Sequence, residues 1–275
     1  MAPKIKAPTK TEPTTALVRK APEDMEAWER DLWEDAQKAS TQEAGVGGGN
    51  FISTQGGVLK FNDNVIPGNE IAVAVLDSVT VKTFFPGKFS PGKSDAPSCY
   101  AFSRDEDLKP HEAVKNPCAD TCLECPNNVF GTADGGERAG KACADRRRLA
   151  VISVGTMLNG VFHPTTDAEA LAKAEIAFFT VPPTSLKAWA GYVKGLKASI
   201  QRPPYAVYTL IKLKPDAVKQ FSVEFSLLAP AAQSAISVLK ARHAEAEDKI
   251  IFPFPTKTEE KAPSAPAKAA KFAKK

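Results

Sequence analysis

A mainly β fold with added helices, in the α+β class, is predicted for this chain of 275 residues. Three observations point to it. About six or seven short runs rich in β-branched and aromatic residues are divided by Gly, Pro, Asn and Asp. These runs do not alternate with helical segments in the regular way that a doubly wound parallel sheet requires. The longest run, 71–85, changes phase partway. Ile71, Val73 and Val75 share one face, Asp77 interrupts, and Val79 and Val81 then resume. A strand that long and bent suits a small closed barrel better than a flat sheet.

Residues 1–21 are rich in Pro, Thr and Lys with almost no large apolar groups, so a flexible basic arm is expected there. A helix begins at Pro22, which fits the first helical position. Glu23 and Asp24 suit the positive end of its dipole, and Met25, Trp28, Leu32 and Ala36 fall on one face. The glycine-rich run 45–49 ends it. Residues 51–54 and 58–61 around Gly56 and Gly57 predict a hairpin. Strands are further expected at 149–154, 176–181, 205–213 and 221–228, the last two joined by a turn at Pro215 and Asp216. Thr166 with Glu169 reads as a capping box for a short helix over 168–174, a second helix is expected over 184–197, and Pro230 opens a third that runs to about residue 247. One domain over 22–255 thus carries an inserted segment, 98–149, and a Lys/Ala/Pro tail follows at 256–275.

The composition, 43% hydrophobic, allows a real core. The net charge of +4 is unevenly spread: residues 1–22 and 256–275 each carry a net +4, which leaves the body at −4. Any polyanion site must therefore come from local basic stripes rather than from a globally basic surface. No apolar run is long enough to cross a bilayer, and the first twenty residues lack the apolar core of a secretory signal, so a cytoplasmic protein is expected. Paired carboxylates, a nucleophile elbow and a phosphate loop are all missing from the pattern, so no enzyme, and no small-molecule substrate, is expected.

All five cysteines lie in the inserted segment: Cys99, Cys118, Cys122, Cys125 and Cys143. In a cytoplasmic chain such clustering points to a metal rather than to disulfides. The spacing Cys118-x3-Cys122-x2-Cys125 matches that of a radical-enzyme iron–sulfur triad. Glu124 stands where that family usually has an aromatic, however, and the β-rich remainder is too short for its barrel. Structural Zn²⁺ suits four thiolates and can organise a stretch, 103–120, that is too poor in apolar residues to fold alone. Cys122, Cys125 and Cys143 are the expected ligands with Cys99 as the fourth, because it comes off a strand end; Cys118 or His111 are the alternatives.

Three stretches combine cations and aromatics without acids, as single-stranded nucleic acid requires: phosphates follow the charge and bases stack on rings. The first spans 176–215, with Lys194, Lys197, Arg202, Tyr205 and Lys212. The second spans 82–93, with Lys82 and Phe84. The third centres on Lys141, Arg146, Arg147 and Arg148, and Tyr100 and Phe102 alternate along a strand edge beside the metal site.

Cys99-Tyr-x-Phe, an acidic loop, Cys122-x2-Cys-Pro-Asn-Asn, Phe130-Gly, Gly140-Lys-Ala-Cys and Arg147-Arg-Leu-Ala-Val-Ile together resemble bacteriophage single-stranded DNA-binding proteins, specifically over 77–154. The resemblance implies an OB barrel with a zinc-binding insertion. It also implies non-sequence-specific protection of single strands in replication or recombination inside the bacterial host, with replication or recombination proteins as partners. Many members end in an acidic tail that recruits partners, whereas this chain ends in Lys-Lys. The alternative reading is a zinc-ribbon scaffold that binds duplex DNA or a protein in transcription or packaging.

Overall fold

β4 (Glu70–Phe84) is the strand on which the main sheet of this computed structural model is assembled, because it serves three neighbours. β6 (Cys143–Ser153) pairs with one edge of it from Val73 to Phe84. The other edge is divided: β10 (Val207–Asp216) takes residues 70–73 and β5 (Cys99–Ser103) takes residues 80–84. One edge can hold two partners because β4 bends. The ladder to β6 steps from Val75 opposite Val151 to Asp77 opposite Ala150, so Leu76 is an extra, bulged residue. The bulge reverses the side-chain alternation. Ala72, Ala74 and Leu76 therefore share a face with Val79 and Val81, while Val73 and Val75 point to the other. The break expected at Asp77 lies one residue earlier.

The structure describes residues 26–28, 30–32, 35, 50–62, 64–87, 96–105, 108–133, 140–158, 160–165, 167–217 and 219–254. The chain divides into two compact units, 1–48 and 49–275. In the first, residues 27–28, 30–32 and 35 are helical, and Trp28 and Leu32 are exposed. The expected basic arm at 1–21, the rest of the helix from Pro22 and the tail at 256–275 lie outside the described residues.

In the second unit the fold is α+β, rich in strands and poor in helices. β1 (Asn50–Ser53), β2 (Lys60–Phe61), β3 (Asn64–Val65), β9 (Ala177–Val181) and β11 (Gln220–Pro230) complete a sheet ordered β11-β10-β4-β6-β9-β1-β2-β3, with β5 on β4. It curls as a half-barrel. Among the described residues β11 and β3 end this order without pairing to each other, so the barrel expected from the sequence is open rather than closed.

Both faces are covered. α1 (Ala168–Lys173) and α3 (Gln233–Lys249) bury Leu171, Ala235, Leu239 and Ala246 against Leu76, Val79, Ile152 and Phe178. On the opposite face α2 (Leu186–Ser199) sets Trp189 against Val73, Val75, Leu149, Phe179 and Ile211. The Ser185 hydroxyl, just before α2, accepts from the Val223 amide at 2.9 Å and ties the helix start to β11.

Three expectations change. α1 is capped by Asp167, whose carboxylate accepts from the Glu169 amide at 2.9 Å; Thr166 lies outside the described residues. The strand expected at 149–154 starts six residues earlier, at Cys143, so the arginine run is part of the sheet. A small hairpin, β7 (Gly155–Leu158) with β8 (Val161–Pro164), had no signal of its own. Its entry needs glycine. At φ 151° a Cβ on Gly155 would lie 2.2 Å from the His163 carbonyl oxygen.

Candidate metal centre and nucleic-acid interface

The excursion between β5 and β6 covers residues 104–142, and its two ends are fixed by the sheet. Phe84 faces Cys99 on one side and Cys143 on the other, so both thiols project from the same face, two strand spacings apart, or about 10 Å between Cα atoms. The Cys122 and Cys125 turn closes over that face. The Cys122 amide donates to the Leu108 carbonyl at 2.8 Å, and Cys125 opens a short 3₁₀ turn at Pro126–Asn128 in which the Asn128 amide donates back to Cys125 at 2.9 Å. All five cysteines line one small cavity together with Lys82, Phe84 and Asn128. Cys99, Cys122, Cys125 and Cys143 are buried and Cys118 is half-buried; all are free thiols.

Burial pushes the Cys143 thiol up to about 12, against the pull of the Lys82 cation, and Cys122 shifts the same way for the same reasons. Cys118 rises to about 11, through burial first and then through its contact with the Cys99 thiol. Neutral thiols pack as small apolar groups. Among the described residues no group of three or more His, Cys, Asp or Glu side chains is disposed to hold a metal ion as it stands. The donor set itself is chemically right for Zn²⁺: four buried sulfurs and a fifth beside them, with a cation at the cavity wall to balance thiolate charge. Cys99 and Cys118, two of the residues expected to compete for the fourth place, touch. His111 does not join the cavity wall. Its ring stacks on Tyr100, with centroids 5.3 Å apart, and its Nδ1 accepts from the Ala113 amide at 3.1 Å.

Lys82, expected at a phosphate, lies inside instead. It is 7% exposed, donates to Asn128 Oδ1 at 2.8 Å and pairs with Asp145. Lys141 shares both partners, at 3.2 Å and 3.1 Å. Burial would raise the Asp145 carboxyl, but hydrogen bonds from the two lysines outweigh it and hold the group below the usual carboxylate range. Asn128 completes the link by donating to the Cys122 carbonyl at 2.6 Å. The link that Asn128 and Asp145 make was not evident from the sequence, because their partner Lys82 lies 46 and 63 positions away.

The opposite face of the same strands holds the aromatics. Tyr100 and Phe102 of β5 lie beside Thr83 and Val81 of β4, with Arg146 and Arg148 of β6 beyond. Tyr100 is buried rather than an open stacking platform: Phe102, His111 and Phe254 surround it at centroid distances of 5.6, 5.3 and 5.0 Å. Arg148 is a further correction. At 3% exposure it donates to the Ile250 and Phe252 carbonyls at 3.0 Å and 3.3 Å, and its guanidinium lies 4.4, 3.8 and 5.4 Å from the rings of Phe102, Phe252 and Phe254. Burial lowers it to about 10, which leaves it charged at neutral pH.

No family model, curated protein or solved structure matches the chain. Several expected contacts are already engaged. Lys212 pairs with Glu70 at 2.7 Å, Arg202 donates to the Ala231 carbonyl at 2.9 Å, and Tyr205 stacks on His243 at 4.8 Å. Within the same stretch Trp189 and Tyr208 are core residues. Among the described residues Arg146 and Arg147 are different: both are half-buried, burial lowers both, and neither has a hydrogen-bond or ion-pair partner. The Arg147 Nε is fully enclosed with nothing to donate to. Register places Arg147 on the cavity face and Arg146 on the aromatic face. Lys187, Lys194 and Lys197 stand exposed and unpaired along α2, a helix with no acidic residue.

Phe84 lines the cysteine cavity at the end of β4. Among the described residues the most exposed ring is Phe130, 78% accessible on the excursion, with the Lys141 ammonium 5.1 Å from its centroid. Its position in a polar, turn-rich segment with no periodic apolar neighbours was the available signal. Among the described residues no helix is long and apolar enough to cross a membrane.

Proposed function

We propose that this chain is a non-enzymatic, non-sequence-specific single-stranded DNA-binding protein with an OB-like half-barrel and a zinc-ribbon-like excursion, acting in phage replication or recombination in the host cytoplasm. The observation that carries it is the pair of partnerless guanidiniums, Arg146 and Arg147, in the first half of β6. A desolvated cation without an acceptor is costly, and a phosphate oxygen supplies the missing partner. The unpaired lysines of α2 extend the cationic surface, and Phe130 offers an exposed ring for a base. Zn²⁺ held by Cys122, Cys125 and Cys143 with Cys99 or Cys118 would pin the excursion to β5 and β6, and so fix the strands from which these groups project.

Fluorescence anisotropy with labelled oligonucleotides tests the reading. Preference for single strand over duplex, weakening steeply with salt, is expected; equal affinity for both, or no binding at low salt, sinks it. The second reading, a zinc-ribbon scaffold for a protein partner, draws support from Leu123, Val129 and Phe130, which are exposed together in one short stretch of the excursion. Under that reading Leu123→Asp and Val129→Asp abolish capture of a transcription or packaging protein and leave oligonucleotide affinity unchanged.

A further inference from the structure

The segment that follows α3 crosses the aromatic face of β4, β5 and β6. Ile250 is fully buried, while the Phe252 and Phe254 rings lie 3.8 and 5.4 Å from the Arg148 guanidinium. Phe254 lies nearly parallel to Phe102, at 14° and 5.8 Å, and Phe252 meets Phe178 at 4.9 Å. This strap is held unlike ordinary core. Beneath it two hydroxyls in directly opposed positions, Thr83 Oγ1 and Tyr100 Oη, are enclosed without hydrogen bonds, although their residues are only 2% and 5% exposed. The Tyr100 hydroxyl lies against the Phe254 main chain but makes no hydrogen bond of normal geometry with it. Arg146 projects to the same face and has no partner. The strap thus meets the apolar and cation–π demands of this face and accepts the Arg148 hydrogen bonds on its carbonyls, but leaves the Tyr100 and Thr83 hydroxyls and the Arg146 guanidinium without hydrogen bonds.

We infer that this face is a covered nucleobase site, and that Phe252 and Phe254 stand in for two successive bases of a single strand that displaces them. Bases fulfil what the strap leaves undone. Their planes replace the two Phe rings against Phe102 and around Arg148, their polar edges reach the Tyr100 and Thr83 hydroxyls, and the linking phosphate reaches Arg146. Phenylalanine offers none of the last three contacts. The inference rests on the single-strand reading above and adds where the bases sit and what competes with them.

The test compares full-length protein with the Phe252→Ala/Phe254→Ala variant, using a fluorescein-labelled oligo-dT of about 20 nucleotides, longer than one barrel's site. Apparent affinity is reduced by the fraction of molecules with the site uncovered, so a strap open less than about a tenth of the time predicts roughly tenfold tighter binding once its rings are gone. Unchanged or weaker binding by the folded variant overturns the proposal. If the variant does not fold, hydrogen exchange on the wild-type chain decides. Amides of 250–254 losing protection when oligo-dT saturates the protein support displacement, and constant or increased protection refutes it. Binding that ignores the strap sinks this inference alone, whereas no binding by either protein sinks the single-strand reading itself.

Discussion

Replacing Arg146 and Arg147 together by Ala tests the proposed interface through its salt dependence. Each phosphate neutralised on a single strand contributes about −0.7 to the slope of log affinity against log salt. If both guanidiniums contact phosphate, the double variant's slope is shallower by about 1.4. Over a fourfold rise in salt, wild type then loses about sevenfold more affinity than the variant, an effect that titrations at about 50 and about 200 mM salt resolve. Neither arginine has an internal partner, so the substitution leaves no acceptor stranded. Stability should stay within about 1 kcal/mol of wild type.

Lys212 and Arg202 are the controls. Lys212 is committed to Glu70 and Arg202 to the Ala231 carbonyl, so Lys212→Ala and Arg202→Ala should leave the slope where it was. A double variant with the wild-type slope, or a Lys212 variant that flattens it equally, would refute the reasoning from unpaired charge.

Arg148→Met should destabilise the fold. The drop from 12.5 to about 10 corresponds to roughly 3 kcal/mol spent on burying the charge. Two carbonyl bonds from a charged donor return about 1.5–3 kcal/mol each, and a desolvated cation–π contact returns about 2. The net loss should be about 2–5 kcal/mol, read as a lower urea midpoint at constant m-value; a loss below about 0.5 kcal/mol contradicts the ledger. Cys122→Ser or Cys125→Ser should lower bound zinc, measured by elemental analysis of protein purified without chelators, and expose the excursion to protease; undiminished zinc removes either residue from the ligand set. Burial raises Tyr192, with partial relief from Thr209, and raises Tyr208. Their neutral forms favour the fold, so that contribution is complete below pH 10 and is lost as pH rises through the higher folded values. Tyrosinate absorbance from these two should appear together with loss of ellipticity; ionisation at pH 10 in a chain that keeps its ellipticity would contradict their burial.

What the sequence made legible was local. The phase change around Asp77 betrayed the bulge that lets β4 hold β5 and β10 on one edge, because side-chain alternation is a property of consecutive residues. The Cys122, Cys125 and Pro126 turn was likewise written in neighbouring positions. The charges misled where their partners were distant: Lys212 meets Glu70 across 142 positions, and Arg148 meets Phe252 across 104. A run of three arginines looks alike whether its members are exposed or enclosed. Period two then sends Arg146 and Arg148 to one face and Arg147 to the other, and only the packing of the strap separates Arg148 from Arg146.

Alternation along β5 links the thiol cavity to the covered face. Cys99 points into the cavity and its neighbour Tyr100 points under the strap. β5 is five residues long and pairs with β4 alone, so ladder hydrogen bonds along one edge are weak insurance against fraying. Two further anchors hold it, one on each face: the cysteine cluster at Cys99, and the Phe254 and His111 rings at Tyr100. A metal drawn in by the thiols would fix the register of β5, and thereby the orientation of Tyr100 and Phe102, without touching any ligand on the far side. The excursion would then act on β5 from both faces, through the cysteines at Cys99 and through His111 at Tyr100. Removing a thiolate would loosen the aromatic floor before it affected Arg146 or Arg147, which hang from the central strand β6.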